Sequence, residues 1–474
     1  MNRRAIVVLD VGKTFSKLSL WTSDGQLIER RSRANNVIPG PRYTELDCAA
    51  VEAWLAAVLA EFAGIADVTT IIPVAHGAAA ALIADGDLWA GPMDYEDEGG
   101  ASLRPAYDAQ RDPFEATGSP ALPQGLNLGM QLHRLEALAN GAWPDDLRIV
   151  TWPQYWAWRL SGVASVEASS LGCHSDLWRP VEHRYSDLAQ QRGWATRMAP
   201  LRHASEALGV VSREWRDRTG LPANCQVLCG MHDSNAALFA ALGHPELAGA
   251  DATILSTGTW FVAMRSPASQ AHLGVSTLQA DRDCLLNVNI DGRPIPSARF
   301  MGGREAEVLC GEALGIALAS GADAIAEVGQ LVSAGIMAMP GNVPGVGPFP
   351  NGQGGWVGPA PTSPKARRAA VSLYLALMAD AVLDLLESRD RVVVAGRFAE
   401  DIVFVRALAA LRRDIAVYLS HAQDDVCYGA LRLINRDLPP SSPLVRVAPL
   451  PLDLDGYRSM WKHRVQQAQP ISAT

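Results

Sequence analysis

The sequence predicts an α/β protein of two domains with a cleft, and three observations predict it. At 474 residues the chain exceeds what one hydrophobic core commonly holds, so two or three cores are expected. Apolar strand-like runs alternate with Ala-rich stretches of helical period along most of its length. One unit also occurs twice: an apolar strand, a small turn carrying Gly and Thr, and a second apolar strand, at Val8–Lys17 and again at Thr253–Met264. Aligning Gly12 with Gly258 sets Asp10 opposite Ser256, so only the first copy carries an acid.

The first copy, VLDVGKTFSK, contains Gly12-Lys13-Thr14 and invites reading as a P-loop. That motif needs a glycine where Val7 stands, and a helix after its lysine. Instead Leu18 and Leu20 alternate with Lys17 and Ser19, the period of a half-buried strand, and Asp24-Gly25 marks a hairpin turn. The start is therefore an antiparallel meander, and the P-loop is rejected. Downstream, AAVEAWLAAVLAEF predicts a helix, VTTIIPVAHG a strand that ends on His76-Gly77, and AGPMDYEDEGG an acidic loop. Helices follow in LGMQLHRLEALAN and in PQYWAWRLSG, the latter stopped by Gly162. Trp152, Tyr155, Trp156 and Trp158 fit core or interface packing better than a stacking surface for a ring ligand.

VLCGMHDSNAALFAAL passes from a strand through a glycine turn into a helix. The pattern breaks near Gly243-His244-Pro245, which predicts domains over 1–243 and 244–440 with a peripheral tail over 441–474. Within the second domain come the repeated strand pair, the helix ARRAAVSLYLALMADAVLDLLES, a strand–Gly396–helix–strand run and a last helix in DDVCYGALRLI. The Gly/Pro-rich stretch 339–359 predicts a long loop, either a lid or disordered.

Composition is that of a globular chain, 48% hydrophobic and 19% charged. A net charge of −9 argues against nucleic acid and anionic membranes as partners. The apolar run after MNRR stops at Asp10, too short for a signal sequence, and no stretch is read as membrane-spanning, so a cytoplasmic protein is expected. Seven cysteines, an odd number, fit reduced thiols; Cys225 and Cys229 form a lone CxxxC and read as buried small hydrophobes.

The two Gly-Thr turns can bring backbone N–H groups close to phosphates. Asp10 at the mouth of the first turn is placed either to hold Mg²⁺ or to cap its own turn. Asp233 reads as a helix N-cap, or as a carboxylate kept ionised by the helix dipole and able to accept the proton of an attacking hydroxyl. His232 is either a group that hydrogen-bonds substrate or a polar turn residue.

Taken in order, DVGKTFSK, HG after a strand, GMHDSNAA, LSTGTW and a strand–Gly–helix ending in YGALRL, the chain from about Ala5 to Leu433 resembles the FGGY carbohydrate kinases of the actin/hexokinase/Hsp70 superfamily. The resemblance implies two ribonuclease-H-like (actin-like ATPase) domains, with ATP and a sugar meeting in the cleft between them. It implies that Gly12, Thr14 and Lys17 belong to a first phosphate motif, with Asp10 at the Mg²⁺ ion, and that Asp233 is the catalytic base. Thr257, Gly258 and Thr259 match a second phosphate motif; Gly396 falls at the adenosine motif, with Ala430 near its close. His76, Gly77 and His232 lie on the sugar side, with Asp97 as the sugar-binding acid and Asp94 as its alternate.

The chain departs from the family pattern at several points. Lys13 stands where that pattern has Thr, and reads as a phosphate ligand or a solvated turn residue. Asp97-Glu98-Gly99 lacks the arginine of Asp-x-Arg, AGRF with Arg397 replaces a Gly-Gly turn, and the Gly341–Gly358 stretch is the nearest substitute for the family's Gly-rich segment. These features place the chain nearer the kinases of deoxy-ketohexoses such as fuculose and rhamnulose than those of glycerol. The expected activity is ATP-dependent phosphorylation of a ketose: a ketohexose, a deoxyketohexose or a pentulose. A non-catalytic nucleotide- or sugar-binding pseudokinase is the alternative, and a chaperone- or actin-like ATPase a more distant one. The sequence is compatible with a homodimer.

Overall fold

In the computed structural model, which describes residues 3–269, 277–315, 322–422 and 425–468, β1 (Arg4–Val11), β2 (Phe15–Trp21) and β3 (Leu27–Ala34) form the antiparallel meander that the alternation of Leu18 and Leu20 predicts. A strand and not a helix follows Lys13, so the local frame of a P-loop is missing. Asp47 caps α1 (Cys48–Ile65) by accepting from Ala50 N, and the helix buries Leu55, Leu59 and Phe62 at four- and three-residue spacing. Each such side chain stabilises the fold by about 1.5–3 kcal/mol. At 18 residues and a mean hydropathy of 1.7, α1 is long and apolar enough to cross a membrane by length and composition, contrary to the expectation above; here its apolar stripe lies in the core.

β4 (Asp67–Ala75) runs parallel to β1. After α2 (Leu128–Leu138) and α3 (Trp152–Ser161, closed by Gly162 in the left-handed region), the sheet gains β5 (Ala207–Val210), β6 (Gln226–Leu228) and β7 (Met231–His232). α5 is preceded by a short turn of helix, α4 (Ala168–Leu171), and itself spans Asp233–Ala241. The order across the sheet is β3–β2–β1–β4–β6–β5, and β7 pairs with β4 beyond β6. Trp152, Tyr155, Trp156 and Trp158 are buried in the core of this unit.

The second sheet repeats that logic. β8 (Ala252–Thr257) and β9 (Phe261–Ser266) form the second hairpin, β10 (Pro294–Phe300) extends it antiparallel, and β11 (Arg391–Gly396) and β12 (Ala416–Leu419) continue parallel to β8, in the order β10–β9–β8–β11–β12. α6 (Gly302–Cys310), α7 (Pro364–Leu385) and α8 (Ile402–Leu411) accompany it; α7 opens with Ser363 as N-cap and Pro364 in the first turn, and buries most of its length.

Two compact units result, but their composition differs from the predicted domains. The first holds Met1–Gly243 together with Leu286–Pro294 and Asp424–Ser441; the second holds His244–Leu285, Ile295–Gln423 and Ser442–Thr474. α9 (Asp425–Arg432) therefore belongs to the first unit, where Ala430 and Leu431 join Ala236 of α5 in one apolar cluster. Ala430 thus sits in that core. The tail is not peripheral either. α10 (Asp455–Ala468) buries Tyr457, Trp461 and Val465, and the Trp461 indole donates to Ala338 O at 2.9 Å. The 339–359 stretch is a hydrogen-bonded loop: Asn342 donates to Met339 O, Gly354 N to Pro340 O and Gly347 N to Asp283.

Trp461→Ala should lower stability by about 3–5 kcal/mol, the range for emptying a buried aromatic site. Chemical unfolding of the full chain checks it, and an unchanged midpoint would return the tail to the periphery.

Candidate active site

Strand register assembles the site of the first unit. In the parallel set, Val11 pairs with Ala75 and Ala75 with His232, so β1, β4 and β7 end in one row. Ligands bind at the carboxyl ends of such strands. Asp10 stands one residue before that edge, His76-Gly77 immediately after it, and Asp233 where β7 turns into α5.

Asp10 is buried, and its carboxyl is pushed up to about 6, by burial first and then by the charge of Asp233; Lys17, 3.7 Å away, offsets part of this. Asp233 is the accessible carboxylate of the group, its side chain 27% exposed against 10% for Asp10 and 6% for Asp94. It is not the N-cap expected of it: His232 takes that position, and Asp233 opens the helix and accepts from Ser234 N at 2.6 Å. The His232 ring is buried with Nε2 3.2 Å from the Asp233 carboxylate. Gly77 is required beside it, because a Cβ there would lie 2.8 Å from Cys173 Sγ and 3.0 Å from His232 Nε2. His76 turns Nδ1 to Gly77 O at 2.7 Å, and burial lowers its pKa, which keeps the ring neutral.

The acidic loop surrounds Lys13. Its ammonium pairs with Asp94, lies 3.4 Å from Glu96 and sits 4.4 Å over the Tyr95 ring, so it is not a solvated turn residue. Asp97 is committed elsewhere. Its carboxylate accepts from Thr44 N at 2.6 Å, Gly99 N at 2.9 Å and Arg134 at 2.5 Å; burial would raise its pKa, yet these donors hold it at about 2. The arginine absent from the local Asp-x-Arg pattern comes from α2, and Asp94 is the acid that faces Lys13 and Tyr95.

In the second unit Thr257 and Gly396 meet as register partners. Gly396 has φ +87°, and a Cβ there would lie 2.3 Å from Thr257 O, so a glycine is needed for β8 and β11 to close. The Thr257 hydroxyl is spent on this junction, donating to Ala395 O at 2.6 Å and accepting from Phe398 N at 3.0 Å. Gly12 N and Gly258 N are likewise used to close their own hairpins, onto Phe15 O and Trp260 O. The glycines shape the two turns; the N–H groups left without a partner among the described residues are those of Lys13 and Thr14 in one turn and Thr259 and Trp260 in the other. Arg397 is exposed and leans on the Phe398 ring at 5.5 Å.

Sequence reasoning passes over Tyr95, Cys173, Asn235 and Glu305. CH at Cys173-His174 and N after HDS are visible signals for two of them. Glu305 on α6 is tied by Tyr374 OH at 2.7 Å and by N–H groups of Gly341, Asn342 and Val343, so a buried carboxyl anchors the 339–359 loop. A cavity of about 670 Å³ in the same unit, lined by Arg282, Phe349, Asp384 and Lys462, shares no residue with the Thr257–Thr259 turn.

Comparison with known proteins matches residues 249–441 to the C-terminal domain of the FGGY carbohydrate kinases. A carbohydrate kinase from Novosphingobium aromaticivorans is 45% identical, with 99% of this chain and 100% of that one covered and a TM-score of 0.93. A xylulose kinase from Rhodospirillum rubrum (19% identical, 98% and 97% covered, TM-score 0.73) and Plasmodium falciparum glycerol kinase with ADP (10% identical, 99% of both chains covered, TM-score 0.76) share the fold. No curated protein matches the chain.

Burial raises the Glu305 carboxyl from 4.5 to about 7 against the pull of Tyr374 and the loop N–H groups. The folded state then holds an extra proton between those values, so this contribution to stability is complete below pH 4.5 and is lost as pH rises through about 7. It amounts to roughly 3 kcal/mol at most. Glu305→Gln should flatten the corresponding fall in unfolding midpoint; a variant that tracks the wild type across the window would contradict the assignment.

Proposed function

The chain belongs to the FGGY carbohydrate kinases, phosphotransferases of the two-domain actin-like ATPase fold that use ATP on a sugar, and from that membership we propose that it transfers the γ-phosphoryl group of ATP to a hydroxyl of a ketose, with Asp233 as general base. The observation that carries the assignment of the base is an accessible carboxylate at the start of α5, on the strand-end row that also holds Asp10 and His76. Asp233 accepts the hydroxyl proton as the oxygen attacks phosphorus in line. Positioning and charge stabilisation supply most of the rate in such transfers.

The proposed sugar wall consists of His76, Gly77, Tyr95, Asp94 and His232. Burial, then Glu96, raises the Tyr95 phenol to about 12, so it donates as a neutral O–H. A neutral imidazole, a phenol and a carboxylate read hydroxyls by direction of donation, and they reject analogues that leave them unpaired. N–H groups of Lys13, Thr14 and Thr259 are proposed as phosphate donors, with Lys17 beside Asp10 and Gly396 giving adenosine a flat approach.

Asp10 suits Mg²⁺: its buried carboxyl faces the charge of Asp233 and has only Lys17 in return. Among the described residues no group of three or more His, Cys, Asp or Glu could cage a metal, which fits an ion that takes one carboxylate plus phosphate oxygens and water. Such an ion supplies charge neutralisation at the phosphates. The setting proposed is cytoplasmic, with ATP and a small sugar as partners and a homodimer as the assembled form.

Release of ADP measured against a panel of ketoses tests this reading. Turnover that depends on one sugar is expected; nucleotide binding without turnover would make the chain a pseudokinase. Asp233→Asn should lower kcat by about 10²- to 10⁴-fold while ATP still binds, and full turnover in that variant would move the base elsewhere. Lys13→Met should raise KM for the sugar roughly tenfold with nucleotide affinity unchanged, because the ammonium holds Asp94 and Tyr95 in place; a change confined to nucleotide affinity would make Lys13 a phosphate ligand.

A further inference from the structure

Cys173 lies beneath the proposed base without contacting substrate in the scheme above. It follows α4 and Gly172, and its sulfur is 3.5 Å from His232 Nε2, the same nitrogen that stands 3.2 Å from the Asp233 carboxylate. One ring nitrogen therefore faces a thiol on one side and the base on the other. The other ring nitrogen, Nδ1, meets the Asn235 side chain at 3.2 Å through its amide nitrogen, while the buried Asn235 Oδ1 has no partner among the described residues. Half a turn of that amide exchanges its two ends. Oδ1 then accepts from Nδ1–H, and the ring carries a proton on both nitrogens.

We propose that Cys173 is a positioning residue for phosphoryl transfer: with His232 it forms a thiolate–imidazolium pair whose Nε2–H is shared between Cys173 Sγ and Asp233 and fixes the orientation of the base. The proposal rests on the kinase reading above. The proton balance is internal, since the S–H bond of Cys173 breaks and an N–H bond of His232 forms.

The groups around the pair come from several elements. Cys173 and Glu167 face His232 from the two ends of α4, Asp233 from α5 and His76 from the turn after β4; His174 faces Cys173 and donates through Nδ1–H to Leu126 O. Burial opposes charge on both members, yet His174 and then His232 pull the Cys173 thiol down to about 5, and Cys173 and then Asp233 lift His232 to about 9. Burial instead pushes the Cys225 and Cys310 thiols up, to about 12 and about 11. Cys173 is thus distinguished by its two imidazole neighbours and not by being a cysteine in a core.

Cys173→Ser keeps the shape and removes the acidity. The ultraviolet absorbance of wild type minus Cys173→Ser at neutral pH should show one thiolate. The alkaline limb of the kcat/KM profile should move down by about one pH unit or more in the variant, the usual effect of losing an opposite charge at this distance. A purely structural role would move the unfolding midpoint and leave both readouts alone. No thiolate difference at neutral pH overturns the pair, and a thiolate with an unmoved alkaline limb overturns its action on the base. If Cys173→Ser folds poorly, His232→Gln gives the same reading by absorbance: the thiolate signal should vanish with Cys173 still present, and its persistence overturns the proposal. A wild-type protein that shows the thiolate but turns over no sugar sinks the kinase reading, and with it the positioning role, while the absorbance arm identifies which of the two failed.

Discussion

The first unit's chemistry depends on one constraint, the parallel pairing of β1, β4 and β7. Because Val11, Ala75 and His232 stand in one row, the residues that end each strand share an edge although they are far apart in sequence. Parallel strands carry this information where a hairpin cannot: neighbours that point the same way finish together, and the turns that follow them open on the same side. A slip of one residue in β4 would turn His76 to the other face and part it from His232. The apolar residues that hold the register, Val7, Val8, Leu9, Ile71 and Ile72, are completely or almost completely buried.

That edge collects more negative than positive charge, and the consequences are consistent. The charge of Asp233 raises the cost of ionising Asp10, Lys17 offsets part of it, and Lys13 is spent on Asp94 and Glu96. A carboxylate in this setting either binds a proton or binds a cation. The imidazole of His232 enters the same balance, since its buried Nε2 lies 3.2 Å from the Asp233 carboxylate. Charge at the site is therefore a property of the set, and removing one member alters the others.

Much of this is legible in the amino-acid sequence. Period-two alternation identifies the meander, the repeat identifies a second sheet of the same order, and Gly162 stands where a helix ends. Residues that act through local backbone geometry are readable because turns and caps are written in neighbouring letters. What escapes such a reading is long-range. No local signal says that Asp97 is claimed by Arg134, 37 residues on, or that α9 returns to the unit of α5. Trp461 misleads for the same reason, since a polar, Pro-rich approach hides a helix with a buried face. The turn glycines read as phosphate donors, but an N–H that closes a hairpin is no longer available to a ligand.

The two sheets are repeats of one plan, and the difference between them is informative. Both run outer strand, hairpin, parallel continuation, and both end the hairpin's first strand at a Gly-Thr turn. In the first copy the residue two before the glycine is Asp10, buried and shifted in its titration; in the second it is Ser256, which is exposed. Burying an acid costs several kcal/mol unless something compensates it, so the plan does not by itself call for one. The second copy keeps the turn and spends its threonine on the junction with Gly396, which needs no charge. Charge is therefore concentrated in one copy and backbone geometry in the other, a division of labour that duplication of a neutral scaffold permits and that a repeat built for packing alone would not require.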